Sequence, residues 1–132
     1  MKKTVLALAV ASLALTASAG VAQNRRGPDG DARLAKLLEG RVPGKPVSCI
    51  SAQISNRLQI INRTAVVYDS GGTVYVAKPR DPRTLNSDDI LVINRFGSQL
   101  CKQDIIRTVD RTSGFMTGVV FLGDFVPYTR RR

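Results

Sequence analysis

The chain has 132 residues, of which 43% are hydrophobic, and its 20 Lys and Arg against 10 Asp and Glu give a formal net charge of +10. This hydrophobic content is typical of a globular chain and excludes an intrinsically disordered one, and the length fits one domain. Histidine is absent, which removes the commonest general base and the Ser-His and Cys-His nucleophile pairs.

The N-terminal residues have the pattern of a cleavable export signal. Two lysines precede an uncharged run rich in Leu, Ala and Val over residues 4–16, and Ala17-Ser18-Ala19 supplies the small residues that a signal peptidase reads. The run is shorter than the roughly 20 residues needed to span a bilayer, so no transmembrane anchor is expected. We expect cleavage after Ala19, or alternatively after Ala22, and a periplasmic or secreted protein that keeps a charge of about +8.

The organisation predicted for the rest of the chain is simple. Residues 20–30 are polar and rich in Gly and Pro and are expected to form a disordered leader. Residues 31–129 are expected to form a single disulfide-linked domain, followed by a basic tail over 130–132.

The two cysteines, Cys49 and Cys101, predict one disulfide, because an even count in an exported chain is typical of a bridge. A zinc site is a poor alternative without histidine, and the C-x-x-C spacing of a redox pair is missing. No metal or cofactor is expected.

One helix is predicted, over residues 31–39. Asp31 is a candidate N-cap, Leu34, Leu37 and Leu38 gather on one face, and Gly40 occupies the position of a C-terminal glycine. Residues 41–46, with two prolines and a glycine, are expected to form a connector.

Beyond residue 47 the hydrophobic period becomes two, which is typical of strands. Segments 54–60, 64–68 and 73–77, separated by turn residues at 62–63 and 69–72, predict a three-stranded antiparallel meander with Cys49 at the start of its first strand. Short strands are also predicted at 90–93, 105–109 and 118–122, so the bridge would tie these later strands to the meander. The predicted fold is mainly β, a small antiparallel barrel or sandwich of five to six strands with one short N-terminal helix.

No residue is predicted to be catalytic, and the chain is not expected to be an enzyme. The serine motifs of hydrolases are missing. The carboxylates that a glycan hydrolase would need lie mostly beside Gly, Pro or Ser, where Asp is favoured by turns; they are Asp69, Asp81, Asp88, Asp89, Asp104, Asp110 and Asp124.

The basic residues are the main indication of a partner. Candidate anion-binding residues are Lys78, Arg80 and Arg83 in a polar stretch, and Arg130, Arg131 and Arg132 at the C-terminal end. Solvated surface charge is the alternative interpretation. Nucleic acid is an improbable partner because four Phe, three Tyr and no Trp make a thin stacking platform, and because the chain is exported.

Three short motifs carry a resemblance to a known family. They are C-I-S at 49–51, G-G-x-V-Y at 71–75 and Q-L-C-x-x-D-I-I at 99–106. The chain resembles a family of small exported proteins of Gram-negative bacteria that share a domain of unknown function. Members often carry two further cysteines, near the positions of Asp81-Pro82 and near the C-terminus; their joint absence here is compatible with pairing of Cys49 with Cys101. The resemblance implies a periplasmic location and brings no activity, ligand or catalytic residue.

Three functions remain open at this point. The first is a non-enzymatic binding domain at the cell envelope, for an anionic component. The second is an interaction partner of another envelope protein, as an inhibitor or accessory subunit, with an exposed patch that includes Phe115, Phe121, Phe125 and Tyr128. The third is a carboxylate-dependent glycan hydrolase.

Overall fold

The computed structural model describes residues 30–53, 57–95 and 97–132. The predicted export signal, the leader up to residue 29 and Ile54 of the first predicted strand lie outside the described residues. Within the described ranges, no helix has the length and apolar character needed to cross a membrane.

The described part of the chain is mainly β, as the sequence predicts. It contains α1 (Gly30–Leu37), β1 (Arg41–Pro43), β2 (Cys49–Ser51), β3 (Leu58–Ile61), β4 (Ala65–Asp69), β5 (Thr73–Pro79), a 3₁₀ helix (Pro82–Thr84), β6 (Asp89–Ile93), β7 (Gln99–Cys101), β8 (Ile106–Asp110), β9 (Met116–Val120) and β10 (Leu122–Arg130). Sheet A has the strand order β1-β10-β5-β4-β3, sheet B pairs β2 with β7, and sheet C has the order β6-β8-β9. All pairings are antiparallel.

Sheet A lies in the middle of the molecule, between the helix and the other two sheets. Strand β4 shows this directly, because its residues from Ala65 to Tyr68 are all buried. Ala65 and Val67 pack in a cluster with Leu34 of α1, whereas Val66 and Tyr68 pack in the main core with residues of sheets B and C. A strand covered on both faces has a continuous apolar run instead of an alternating one. The described strands close no barrel, so the sandwich alternative of the predicted fold is confirmed.

The predicted meander is confirmed as β3, β4 and β5, which are neighbours in sheet A. Leu58 and Ile60 of β3 pack on the main core, as the alternation predicts. The turn between β3 and β4 contains Arg63, the one described non-glycine residue with a positive φ, of 51°. The predicted turn between β4 and β5 also forms, with the Gly71 backbone N–H donating to the Asp69 carboxylate at 2.7 Å.

The predicted helix is present but begins one residue earlier and ends two residues sooner. Gly40 has a φ of 71°, so the predicted glycine after the helix is confirmed. Asp31 lies inside the first helical turn and is therefore not the N-cap. Gly30 is buried against Asn62 and Thr64, which fixes the start of α1 on the turn between β3 and β4.

Three expectations about the strands are wrong. The predicted connector contains β1, which pairs with β10 in a register that joins Arg41 to Arg130. Strand β10 was not predicted beyond residue 122, so the count of five to six strands is too low, and Arg130 ends a strand instead of starting a tail. The remaining error is the strand that carries Cys49, which is β2 in sheet B and not the first strand of the meander.

The predicted disulfide between Cys49 and Cys101 is present. The two residues face each other in the register of β2 and β7, with their Cα atoms 4.0 Å apart. The bridge therefore joins the two strands of sheet B and does not tie the later strands to the meander.

Candidate functional site

A cleft of about 700 Å³ lies between β3 and β6. These are edge strands of sheets A and C, and they are not hydrogen-bonded to each other. The two sheets pack through the main core but remain open along this side. The fold therefore leaves a cleft whose walls are two strand edges.

The floor of the cleft is apolar. It is formed by side chains of the main core and by their partly buried neighbours, namely Ala52, Leu58, Ile60, Tyr68, Leu91, Ile93 and Leu100. Ala52, Tyr68 and Leu100 are nearly inaccessible to solvent, so each exposes at most a small part of its side chain to the cleft. A ligand in the cleft would bury apolar surface against a preformed core.

Three arginines line the same cleft: Arg33 from α1, Arg95 after β6 and Arg111 after β8. Two of them are held by backbone carbonyls, because Arg95 Nη1 donates to the Ala52 oxygen at 2.6 Å and Arg111 Nε donates to the Asp88 oxygen at 3.4 Å. None of the three is ion-paired to a carboxylate within the described ranges. The cleft therefore combines an apolar floor with three guanidinium groups.

Asp89 is the one acidic residue among those that line the cleft. It is 5% exposed, and its Oδ2 accepts a hydrogen bond from the Thr117 hydroxyl at 2.7 Å. The Thr117 hydroxyl also lies 2.8 Å from that of Thr108, so a polar network connects the three strands of sheet C. The Thr117 hydroxyl and the Asn86 side-chain amide, which donates to Oδ1 at 3.4 Å, satisfy the buried carboxylate. The sequence-based expectation of a turn role is wrong for Asp89, which lies in β6.

Most of the other aspartates do have the predicted turn roles. Asp69, Asp81, Asp104 and Asp110 each accept a backbone N–H two or three residues away. Two hydrogen bonds from Ser113 lower the pKa of Asp110, and the bond from its backbone N–H has a larger effect than the bond from its hydroxyl. The cleft between β3 and β6 contains one carboxylate, Asp89, and the depression beside Lys78 contains one, Asp124, whereas a glycan hydrolase uses a pair.

The candidate anion-binding residues from the sequence fall into two groups that lie far apart. Lys78 and Arg80 lie at the end of β5, beside the start of β10, whereas Arg130 is the last residue of β10 and Arg131 and Arg132 follow it. The register places Pro79 opposite Leu122 and Thr73 opposite Thr129, so the groups are separated by about 20 Å at roughly 3.3 Å per residue. They do not form one surface patch.

Arg83 is not available for a ligand in the same way as Lys78 and Arg80. Its Nε and Nη2 donate to the two carboxylate oxygens of Asp81, both at 2.9 Å. This side-chain hydrogen bond lowers the pKa of Asp81 and raises that of Arg83. The pair is exposed to solvent, and Asp81 also caps the 3₁₀ helix.

Lys78 and Arg80 line a second depression of about 390 Å³, together with Lys102 and Asp124. Lys102 Nζ lies 2.8 Å from Asp124 Oδ1. The hydrogen bond from Lys102 holds the pKa of Asp124 below its ordinary value, and a further hydrogen bond from the Ser48 hydroxyl acts in the same direction. One of the three cations is thus already paired.

We expect the Lys102→Gln substitution to raise the pKa of Asp124 towards its ordinary value, because the largest stabilisation of the carboxylate is lost. In the wild-type protein the pKa of Asp124 is lower in the folded state than in the unfolded state. The pair therefore stabilises the fold above about pH 4, and this contribution is lost as the pH falls through the folded pKa. Carboxyl-carbon NMR titration measures the shift. Lys78→Gln is the matched control in the same depression, and an unchanged Asp124 pKa in Lys102→Gln would refute the assignment.

The predicted aromatic patch is divided by the structure. Phe125 is 1% exposed in the main core, and Tyr128 is partly buried beneath α1, so both expectations are wrong. Phe115 and Phe121 are exposed, by 76% and 57%. They lie at the two ends of β9.

The cleft arginines have no counterpart among the residues predicted from sequence. Arg33, Arg95 and Arg111 are separated by 62 and 16 positions along the chain, and no motif in the sequence joins them. Only the packing of sheet A against sheet C brings them to one opening. No family model matches the chain, and neither the curated proteins nor the solved structures that were searched include a match.

Proposed function

We propose that the chain is a non-enzymatic binding domain of the periplasm, and that it binds an amphipathic anion in the cleft between β3 and β6. The observation that carries this proposal is the combination, in one cleft of about 700 Å³, of an apolar floor and three arginines. The volume is within the range of about 300 to 1,000 Å³ that small-molecule sites occupy.

The two kinds of lining residue favour two parts of one ligand. An apolar body placed on Leu58, Leu91 and Ile93 would leave water, at a gain of roughly 25 cal/mol per Å² of buried apolar surface. An anionic head group would accept hydrogen bonds from the guanidinium groups, whose planar donors suit carboxylate and phosphate oxygens. Neither a purely apolar nor a small inorganic ligand would use both.

The disulfide supports the proposed location, and the positive charge supports an anionic ligand. A bridge between Cys49 and Cys101 is typical of an oxidising compartment such as the periplasm. The chain would remain strongly basic after the loss of Lys2 and Lys3, and this positive charge would attract anionic ligands from a distance.

Isothermal titration of the chain purified without its predicted signal tests the proposal. Dodecanoate is expected to bind with a negative heat-capacity change, because apolar surface is buried. Acetate, which has the head group without the chain, is expected to bind at least about tenfold more weakly, a difference of about 1.4 kcal/mol or more. Dodecanol is expected to bind more weakly than dodecanoate for want of the charge.

Two triple variants with equal charge provide the control. Replacing Arg33, Arg95 and Arg111 with glutamine is expected to weaken dodecanoate binding about tenfold or more. Replacing Arg130, Arg131 and Arg132 with glutamine removes the same charge at a distant place and is expected to change the affinity little. Equal losses in the two variants, or equal affinities for acetate and dodecanoate, would reduce the interaction to general surface charge and contradict the proposal.

A further inference from the structure

The outer face of sheet C is apolar and has no described element packed on it. Where β6 pairs with β8, Ile90 lies opposite Val109 and Val92 lies opposite Arg107. Where β9 pairs with β8, Met116 lies opposite Val109 and Val119 lies opposite Arg107. These side chains share the face opposite to the core, where Ile93, Ile106 and Val120 form the corresponding inner row. An antiparallel sheet with one solvated face usually alternates apolar inward and polar outward residues. Sheet C does not.

The exposure of these side chains is substantial. Ile90, Val92, Met116 and Val119 are exposed by 37 to 62%. Ile105, two positions before Arg107, and Phe121, two positions after Val119, extend the outer rows and are exposed by more than half. Phe115, in the turn before β9, is exposed by 76% and borders this face next to Met116. We call this set of residues the outer face of sheet C.

The charges on and beside the outer face are mainly positive. Arg107 lies in its central row, exposed and without an ion-pair partner in the described ranges. The backbone N–H of Arg80 donates to the carbonyl of Phe121, so a second cation adjoins one end of the face. At the other end the Asp110 carboxylate accepts the backbone N–H groups of the turn that follows it, whereas the guanidinium group of Arg111 lies in the cleft and donates to the Asp88 carbonyl.

This charge distribution favours an anionic bilayer over a second copy of the chain as the occupant of the outer face. A second copy of the chain would bring Arg107 and its basic surroundings against their own equivalents, and like charges across an interface are unfavourable. An anionic bilayer offers apolar surface for the exposed Phe and Met side chains and phosphates for the guanidinium groups. The most exposed apolar residues, Phe115, Met116 and Phe121, protrude along β9 and its two ends, which suits partial insertion between head groups.

We propose that the outer face of sheet C docks on an anionic lipid surface. Phe115, Met116 and Phe121 enter the interfacial region, while Arg107 extends its guanidinium group to the lipid phosphates. This proposal does not depend on the cleft having a ligand. It does have a consequence for the cleft, because Ile90 belongs both to the outer face and to the cleft lining. Docking would therefore bring the β6 wall of the cleft next to the bilayer.

The absence of tryptophan from the sequence makes a site-specific test possible. In the chain without its predicted signal, Phe121→Trp places a reporter on the outer face, and Ala35→Trp places one on the exposed side of α1, across sheet A, with no change in charge. Vesicles of phosphatidylcholine with about one-third phosphatidylglycerol are the probe. We expect a blue shift of the Phe121→Trp emission that is lost at high salt and is missing with pure phosphatidylcholine. No shift is expected for Ala35→Trp.

Co-sedimentation with the same vesicles gives the affinity. Phe115→Ala with Phe121→Ala is expected to weaken binding about tenfold or more, and Arg107→Gln to weaken it more than Arg132→Gln, which has the same charge change. Both phenylalanines are exposed, and unchanged thermal unfolding would establish that the variant is folded.

Four outcomes would overturn the proposal. Equal emission shifts in the two tryptophan variants, or equal losses of binding in the two arginine variants, would show that the outer face has no special part in the interaction. A stable dimer that shields the tryptophan of the Phe121→Trp variant from solvent would favour self-association instead. A binding loss confined to the cleft triple variant would favour lipid uptake alone.

Discussion

Replacing Phe125 with alanine is expected to destabilise the protein by about 3 to 5 kcal/mol. Phe125 is 1% exposed and is among the largest fully buried side chains. It lies in β10 opposite Ala77 and forms an isolated bridge with Val47, so its ring packs where sheet A meets the segment that leads to sheet B. Truncation would leave a cavity in the main core that the surrounding strands could fill only in part.

Phe121→Ala is the matched control for this prediction. The same atoms are removed four positions earlier, but Phe121 is 57% exposed, and a change within about 0.5 kcal/mol is expected. Urea unfolding of both variants, followed by circular dichroism, gives the two free energies. Similar losses in both variants would show that the burial assigned to these two rings is wrong.

Replacing both cysteines with alanine is expected to cost about 4 kcal/mol of unfolding free energy, as estimated from the chain entropy of a closed loop. Cys49 and Cys101 are 52 positions apart, so the bridge removes many conformations from the unfolded chain. Its local effect is also large, because β2 and β7 have three residues each and few backbone hydrogen bonds. Without the bridge, sheet B is expected to separate before the rest of the core.

The double variant avoids a single reactive thiol, and the wild type should contain no titratable thiol in denaturant. Urea unfolding compares the two proteins under identical conditions, and amide hydrogen exchange at residues 49–51 and 99–101 reports on sheet B. A loss below about 1 kcal/mol, or two free thiols in protein purified from an oxidising compartment, would contradict the structural role of the bridge.

The sequence predicts the elements whose signals are local. The meander is correct because the alternating segment 54–60, the turn residues at 62–63 and the glycine-containing turn at 69–72 lie next to one another in the chain. Strand β10 was missed because Gly123 and Pro127 argue against a strand within a sheet. The strand tolerates Pro127, which has no backbone N–H, because β1 pairs only with the last three residues of β10. Gly44 lies against the Pro127 ring.

Phe121 and Phe125 of the predicted patch differ in exposure for a related reason. Residues four apart in a regular strand would share a face. However, the chain leaves β9 of sheet C after Val120 and enters β10 of sheet A at Leu122, and the register of β10 with β5 is irregular between Leu122 and Phe125. Phe121 therefore remains on the outer face of sheet C while Phe125 enters the core. No periodicity argument made from the sequence alone could locate that irregularity.

The candidate site could not be predicted because it depends on the meeting of two sheet edges. The two basic groups of the sequence do not come together in space, since Lys78 and Arg130 occupy opposite ends of paired antiparallel strands. Arg33 and Arg111, which are distant in sequence, line one cleft. Charge composition indicates an anionic ligand, but only the tertiary fold indicates which cations are arranged around an apolar floor.

The most direct test of the proposed cleft is amide NMR mapping of the ¹⁵N-labelled chain during titration with dodecanoate. We expect the largest shift changes at residues 58–60 and 89–93, which form the two walls. Small changes are expected at Lys78 to Arg80 and at Arg130 to Arg132, the cations indicated by the sequence. Shifts concentrated at those two basic groups, with the walls of the cleft unaffected, would contradict the account.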